Sequence, residues 1–208
     1  MTRAVLLAAA IAGVIAPSHA AVAQQRPMTF LDLQHLRRAG SPDLSPDGRW
    51  MLYTLSVPDW QAARRDTDIW LVSTSAGVSS ARQLTFTPAK SENDPHWSRD
   101  GRFFVFSSDR DGSGAKPPDQ LYVMRPDGGE ARRVTDAKDG VGRFELSRDG
   151  RWLVYEAGKA EDRQLWALPV AGLLEGDAKP VQVTTHPTPI VWWTLTKDGA
   201  HLFFSTRR

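Results

Sequence analysis

Gly112-Ser113-Gly114 sets a serine between two glycines, yet the outer spacing of G-x-S-x-G, which lifts a nucleophile onto a strand-to-helix turn, is missing. That serine reads as turn chemistry, and no residue of the chain is assigned a catalytic role. Asp109-Arg110-Asp111-Gly112-Ser113-Gly114 places oxygens at the first, third and fifth positions of a calcium loop. Gln120 stands where the closing bidentate Glu belongs, so no metal is assigned and no cofactor is expected. The five histidines are isolated, and His35 has no second ligand one turn away. Cysteine is absent, which excludes disulfides, thiolate metal sites and a lipid-anchored Cys. No convincing pair of carboxylates for glycoside hydrolysis stands out either.

One polar set does recur in register. Asp43, His96, Glu145 and Thr194 each precede by two residues the Ser or Thr of a repeated turn, and the residue between is apolar: Leu44, Trp97, Leu146, Leu195. On a strand these two sets face opposite ways, so the apolar set is expected to pack and the polar set to form a partial ring. Such a ring reads first as side chains that bond the backbone of a neighbouring unit, since buried polar groups need partners. Contact with a peptide or an ion is the second reading, and no substrate-binding residue is assigned from it.

The turn itself appears as LSPDGRW (44–50), WSRDGRF (97–103), LSRDGRW (146–152) and LTKDGAH (195–201). Its aspartates, Asp47, Asp100, Asp149 and Asp198, stand 53, 49 and 49 residues apart. Ser first, Asp third and Gly fourth suit a type I turn followed by a left-handed residue, where glycine has no Cβ to clash. A second marker follows each turn, DIWLV (68–72), QLYVM (120–124) and QLWAL (164–168), and a third closes each unit, RQLTF (82–86), RRVTD (132–136) and VQVTT (181–185). Each unit thus resolves into four short strands. The second strands, WMLY, FFVF, WLVY and LFF, are apolar on both faces and require cover on both sides. Units of this size stacked face to face are the blades of an all-β fold, the β-propeller. Blades are expected at about 41–88, 89–138 and 139–187, with 188–208 an incomplete fourth.

Ahead of the blades, residues 1–23 run from Arg3 through an apolar stretch, Ala4 to Ala16, into small residues, the pattern of a cleaved signal peptide. The stretch is too short to span a bilayer, and no stable membrane anchor is expected. Export to the periplasm or medium is therefore expected. Residues 24–40 form a lead-in, in which TFLDLQHLRRAG (29–40) is expected to be a helix capped by Thr29, with Phe30, Leu33 and Leu36 packing on the strands after it. Lys and Arg total 26 against 24 for Asp and Glu, scattered rather than striped, so nucleic acid is excluded as a partner.

The stretch SPDLSPDGRWMLYTLSVPD…TDIWLVSTSAG…ARQLTF, continued by ENDPHWSRDGRFFVFSSDRDG…QLYVMRPDGGEARRVTD, closely resembles the N-terminal propeller of exported prolyl oligopeptidase-family serine peptidases, nearest the acylaminoacyl-peptidase and dipeptidyl-peptidase-like branch. The resemblance covers residues 27–208. It implies a propeller that filters access to a separate C-terminal α/β-hydrolase domain, with short peptides as substrates. The turn motif alone also resembles the propeller of the Tol-Pal envelope system, which leaves a non-catalytic protein-binding scaffold as the alternative. The fourth unit reaches only its second strand, HLFFSTRR. The expectation is a fragment whose full-length product adds further blades and the hydrolase domain, and which alone hydrolyses nothing and exposes aggregation-prone apolar surface.

Overall fold

Ser45, Ser98, Ser147 and Thr196 each use one hydroxyl twice. In the computed structural model, which describes residues 26–114 and 117–207, each serine hydroxyl donates to the Asp two residues on, at 2.6, 2.7 and 2.5 Å, and Thr196 does the same to Asp198. Each then accepts the N–H five residues on, at 2.9 to 3.1 Å. The Asp carboxylate also accepts the N–H two residues beyond itself, so the motif satisfies its own backbone as an Asx-type turn. The fourth-position glycines sit at φ of 71°, 69°, 74° and 69°, where a Cβ is strained.

These turns join the first two strands of successive antiparallel meanders. β1 (Arg38–Leu44), β2 (Trp50–Asp59), β3 (Arg64–Ser73) and β4 (Gly77–Gln83) make the first sheet, in that order. β5 (Glu92–Trp97), β6 (Phe104–Ser108), β7 (Gln120–Met124) and β8 (Arg132–Arg133) make the second. β9 (Val141–Leu146), β10 (Trp152–Ala157), β11 (Gln164–Pro169) and β12 (Val181–Gln182) make the third, and β13 (Ile190–Leu195) pairs with β14 (Leu202–Thr206). The structure is a β-propeller arc of three four-stranded blades and a hairpin.

The second and third markers interlock. Thr135 donates its hydroxyl to Gln120 Oε1 at 2.8 Å and accepts the Leu121 N–H at 2.9 Å. Thr184 repeats this with Gln164 and Leu165, both at 2.9 Å. The Thr hydroxyl stands in for a backbone carbonyl and lets the fourth strand end after two residues. The first blade keeps the Ile69 N–H to Thr85 bond at 2.9 Å but puts Asp68 where the others have glutamine.

Apolar cores fill the seams between blades. Leu52, Ile69 and Leu71 meet Trp97, Phe104, Phe106 and Tyr122 in the first seam. Phe103, Val105, Leu121 and Val123 meet Phe144, Leu153, Tyr155 and Leu168 in the second. Val154, Leu165 and Ala167 meet Ile190 and Trp193 in the third. Adjacent residues of β6 therefore bury opposite faces, and Phe104, Val105 and Phe106 are all fully buried. Burial at this level stabilises by about 1.5–3 kcal/mol per large apolar side chain. Leu44 and Trp50 of the first blade and Phe203 of β14 face solvent instead.

The lead-in differs from expectation. The helix α1 covers Phe30–Gln34 alone, with the Thr29/Asp32 capping box in place, and Arg38 onward is strand. Arg38, Ala39 and Gly40 instead ladder against Ser56, Leu55 and Thr54, which commits their backbone groups to the first sheet. Phe30, Leu33 and Leu36 do not pack; the segment is tied down by polar bonds, Trp60 Nε1 to the Gln34 carbonyl and Arg65 to the Leu36 carbonyl at 3.0 Å. The leader at 1–23 lies outside the described residues. Among those described, no helix is long and apolar enough to cross a membrane.

Candidate functional site

β1 and β5, the first strands of neighbouring blades, lie side by side, and the recurring polar positions meet there. Asp43 accepts the Trp97 backbone N–H at 2.7 Å, and the Trp97 indole N–H donates to the Asp43 carbonyl at 3.2 Å. His96 Nδ1 lies 3.9 Å from the same Asp43 carboxylate, and His96 Nε2 lies 3.6 Å from Asp94. The His96 ring meets Phe144 of the next blade edge-on at 5.4 Å. Burial of the ring opposes its protonation, but the close carboxylate of Asp94 and the charges of Asp43 and Glu145 outweigh it and raise the His96 pKa.

Further along, Glu145 accepts from Arg143 Nη2 at 3.1 Å, while Arg143 Nη1 donates to the Trp193 carbonyl at 2.6 Å and its guanidinium lies 4.5 Å from the Trp193 ring centroid. Thr194 stays outside this row; its hydroxyl donates to the Leu195 carbonyl at 3.5 Å. The row thus carries two charged clusters, Asp43/His96/Asp94 and Arg143/Glu145, each tied to the backbone of an adjoining blade. It can hold or repel a charged group, and it contains no activated nucleophile.

Asp94 and Arg143 belong to this site as well, each standing two residues before a member of the recurring polar set, His96 and Glu145. Asp94 is in the left-handed region (φ 54°), as is Ser41 (φ 44°) at the equivalent bulge of the first blade. Both precede a proline, Pro42 and Pro95, and that shared Pro was the signal that could have marked the bulge.

The loop at Asp109–Gly114 already holds a cation of its own. Lys90 Nζ donates to the Asp109 carbonyl at 3.0 Å and the Gly112 carbonyl at 2.8 Å. Asp109 caps the Ser91 N–H at 3.2 Å, and Asp111 accepts the Tyr122 hydroxyl at 2.9 Å. Among the described residues, Ser113 makes no contact of a nucleophile with a base. Arg110 turns inward to Glu92, which is fully buried, at 3.0 Å. Its guanidinium lies 5.4 Å from the Phe106 and 5.3 Å from the Tyr122 ring centroid.

Asp68 lies beside Glu92 across the first seam, where Thr67 and Ser91 form a parallel bridge. Burial, and then the Glu92 charge, push the Asp68 pKa up to about 6.

No protein-family model matches the chain. The chain is 33% identical over 176 residues to the protein named "Uncharacterized peptidase YuxL" of Bacillus subtilis, a match covering 84% of this chain and 24% of that protein. It is 29% identical over 134 residues to "Dipeptidyl-peptidase 5" of Porphyromonas endodontalis, covering 64% of this chain and 18% of that one. The chain therefore spans about a quarter or less of the length of the curated relatives it matches. Among solved structures, the β-propeller domain of the Trilobed protease from Pyrococcus furiosus superposes with a TM-score of 0.52 at 14% identity, over 75% of this chain and 46% of that one, which shows the fold. With blade order, turn chemistry and peptidase-named relatives in agreement, the chain is a β-propeller similar to those of the prolyl oligopeptidase family of peptidases.

Proposed function

We propose that these blades belong to the gate of an exported serine peptidase that acts on short peptides. The observation that carries this is the 33% identity, over 84% of the chain, to a protein named as a peptidase. The arrangement supports it: the blades carry charged clusters along their first strands and, among the described residues, no nucleophile with an oriented base, so chemistry is assigned to an α/β-hydrolase domain of the whole protein. The propeller's part is to admit or exclude peptides. Arg3 and the apolar run after it support export.

The test is the coding sequence beyond codon 208 and the activity of its product. The reading expects G-x-S-x-G followed by Asp and His, labelling of the whole product by a fluorophosphonate, and hydrolysis of short peptide substrates, with no labelling of the 208-residue chain. A stop codon with no hydrolase domain downstream would favour the scaffold instead. Export is checked by the mature N-terminus, expected at Ala21 or Gln24.

A further inference from the structure

Each complete blade places an aromatic pair across its second and third strands in one register: Tyr53 opposite Trp70, Phe106 opposite Tyr122, and Tyr155 opposite Trp166. In the first seam the pair Phe106 and Tyr122 is stacked at 5.7 Å and covered by the Arg110 guanidinium. Glu92 neutralises that guanidinium, and Asp111 takes the Tyr122 hydroxyl proton in a hydrogen bond. This seam holds an internal cation.

The second seam keeps the aromatic walls and loses the occupant. Counted from the turn aspartates Asp100 and Asp149, Arg110 corresponds to Lys159, Glu92 to Val141 and Asp111 to Ala160. Lys159 is exposed and lies outside the cavity that Tyr155 and Trp166 line, whose volume is about 430 Å³. Asp136, Asp139 and Asp162 also line it, against one basic residue, Lys138. Arg133 pairs with Asp136 at 2.5 Å, which leaves Asp139 and Asp162 as the free negative charges of the rim. Tyr155 is 4% exposed, and its hydroxyl makes no hydrogen bond to any described residue. A largely buried tyrosine whose hydroxyl opens on the cavity and not on a protein partner, an aromatic wall and an acidic rim are together the features that recognise a cation.

We infer that the seam between the second and third blades binds an organic cation, a guanidinium or alkylammonium group such as the side chain of a basic residue in a peptide. The volume suits a side chain and its adjoining backbone. The guanidinium would lie against the ring of Trp166, and the Tyr155 hydroxyl and the Asp139 and Asp162 carboxylates are the polar groups within the cavity that meet the ligand. The site is a property of these two blades and does not depend on the chemistry of the whole protein.

The experiment titrates the chain with N-acetyl-arginine amide and follows the Trp166 indole N–H resonance, with N-acetyl-citrulline amide as the uncharged isostere. A saturable shift with the arginine compound is expected, weakened about tenfold for citrulline. Asp162→Asn, whose side chain is exposed, should weaken binding severalfold with an unchanged melting temperature, and Trp166→Leu, which removes the indole reporter and is therefore titrated by isothermal calorimetry beside the parent chain, should abolish it. Equal shifts from the two compounds, no saturable shift from the arginine compound, a response insensitive to both variants, or the same shift produced by calcium chloride would each overturn the inference. The peptidase reading is decided by the hydrolase domain and its labelling, so the two can fail separately.

Discussion

The Asp43 carboxylate accepts the backbone N–H of Trp97 at 2.7 Å, so a side chain of one blade completes the first strand of the next. Asp43→Ala leaves that N–H without its partner inside the seam. We expect a loss of about 1–3 kcal/mol in chemical unfolding. A loss within error of zero would show that water replaces the carboxylate.

The same substitution removes one of the charges that raise the His96 pKa. A raised histidine stabilises the fold fully below its unfolded value near 6.5, and that contribution is lost as pH rises through the folded pKa. Titration of the His96 ring by NMR should show a lower pKa in Asp43→Ala. An unshifted curve would rule out the coupling.

Asp68 works in the opposite sense. With its pKa at about 6 against 3.8 for the free side chain, the folded state retains a proton that the unfolded chain releases. Its contribution to stability therefore falls as pH rises from about 4 to 6. Asp68→Gln installs the amide found at Gln120 and Gln164, so the variant should be more stable than the parent at pH 7 and lack this fall. Thermal unfolding at pH 4 and pH 7 decides it. The turn aspartates Asp47 and Asp149, lowered to about 2 by their serine, arginine and backbone hydrogen bonds, set the acid limit: their stabilisation is complete above the unfolded value and is lost as pH drops through 2.

Arg110→Met strands Glu92 as a buried, unpaired carboxylate, and a cost of about 3–5 kcal/mol is expected. Adding Glu92→Gln should recover much of it, because the desolvated charge is then gone. If the double variant is as unstable as the single one, packing rather than charge governs the site.

Gly150 is at φ 74°, and a Cβ built there meets the Arg99 side chain of the preceding turn at 3.1 Å. Gly150→Val should cost about 1–3 kcal/mol from backbone strain alone. An unchanged melting temperature would contradict the turn assignment.

The turns and blades were legible because their causes are local. Ser, Asp and Gly at fixed offsets close one hydrogen-bonded loop wherever they occur, and an apolar run such as Phe103–Phe106 requires cover on both faces. Gln120 and Thr135 were visible as two separate markers, but not as partners, since their bond spans 15 residues. Asp94 escaped because a bulge, and not the strand period, aims it at His96. Arg110 was passed over inside the calcium-like Asp109–Gly114 pattern; only the approach of Phe106, Tyr122 and Glu92 makes it a core residue. Leu44 was expected to pack by analogy with Trp97 and faces solvent, because the periodicity of a strand tells which residues share a face and not whether that face has a neighbour.

The outer rims of the first two seams are strapped by arginines of the third marker. Arg82 donates to the Pro126 carbonyl and Arg132 to the Glu175 carbonyl, but the third blade has Val181 at that place. Its seam with β13 and β14 is fastened further in, where Arg143 reaches the Trp193 carbonyl, the Trp193 indole reaches Glu156 at 2.8 Å and the Ile190 N–H reaches the Arg163 carbonyl at 2.9 Å. A joint pinned at one end and loose at the other is a hinge, stiff against sliding and compliant in rotation. Thermal agitation should therefore open the outer rim of this seam, beside Val181, before the rims that Arg82 and Arg132 strap.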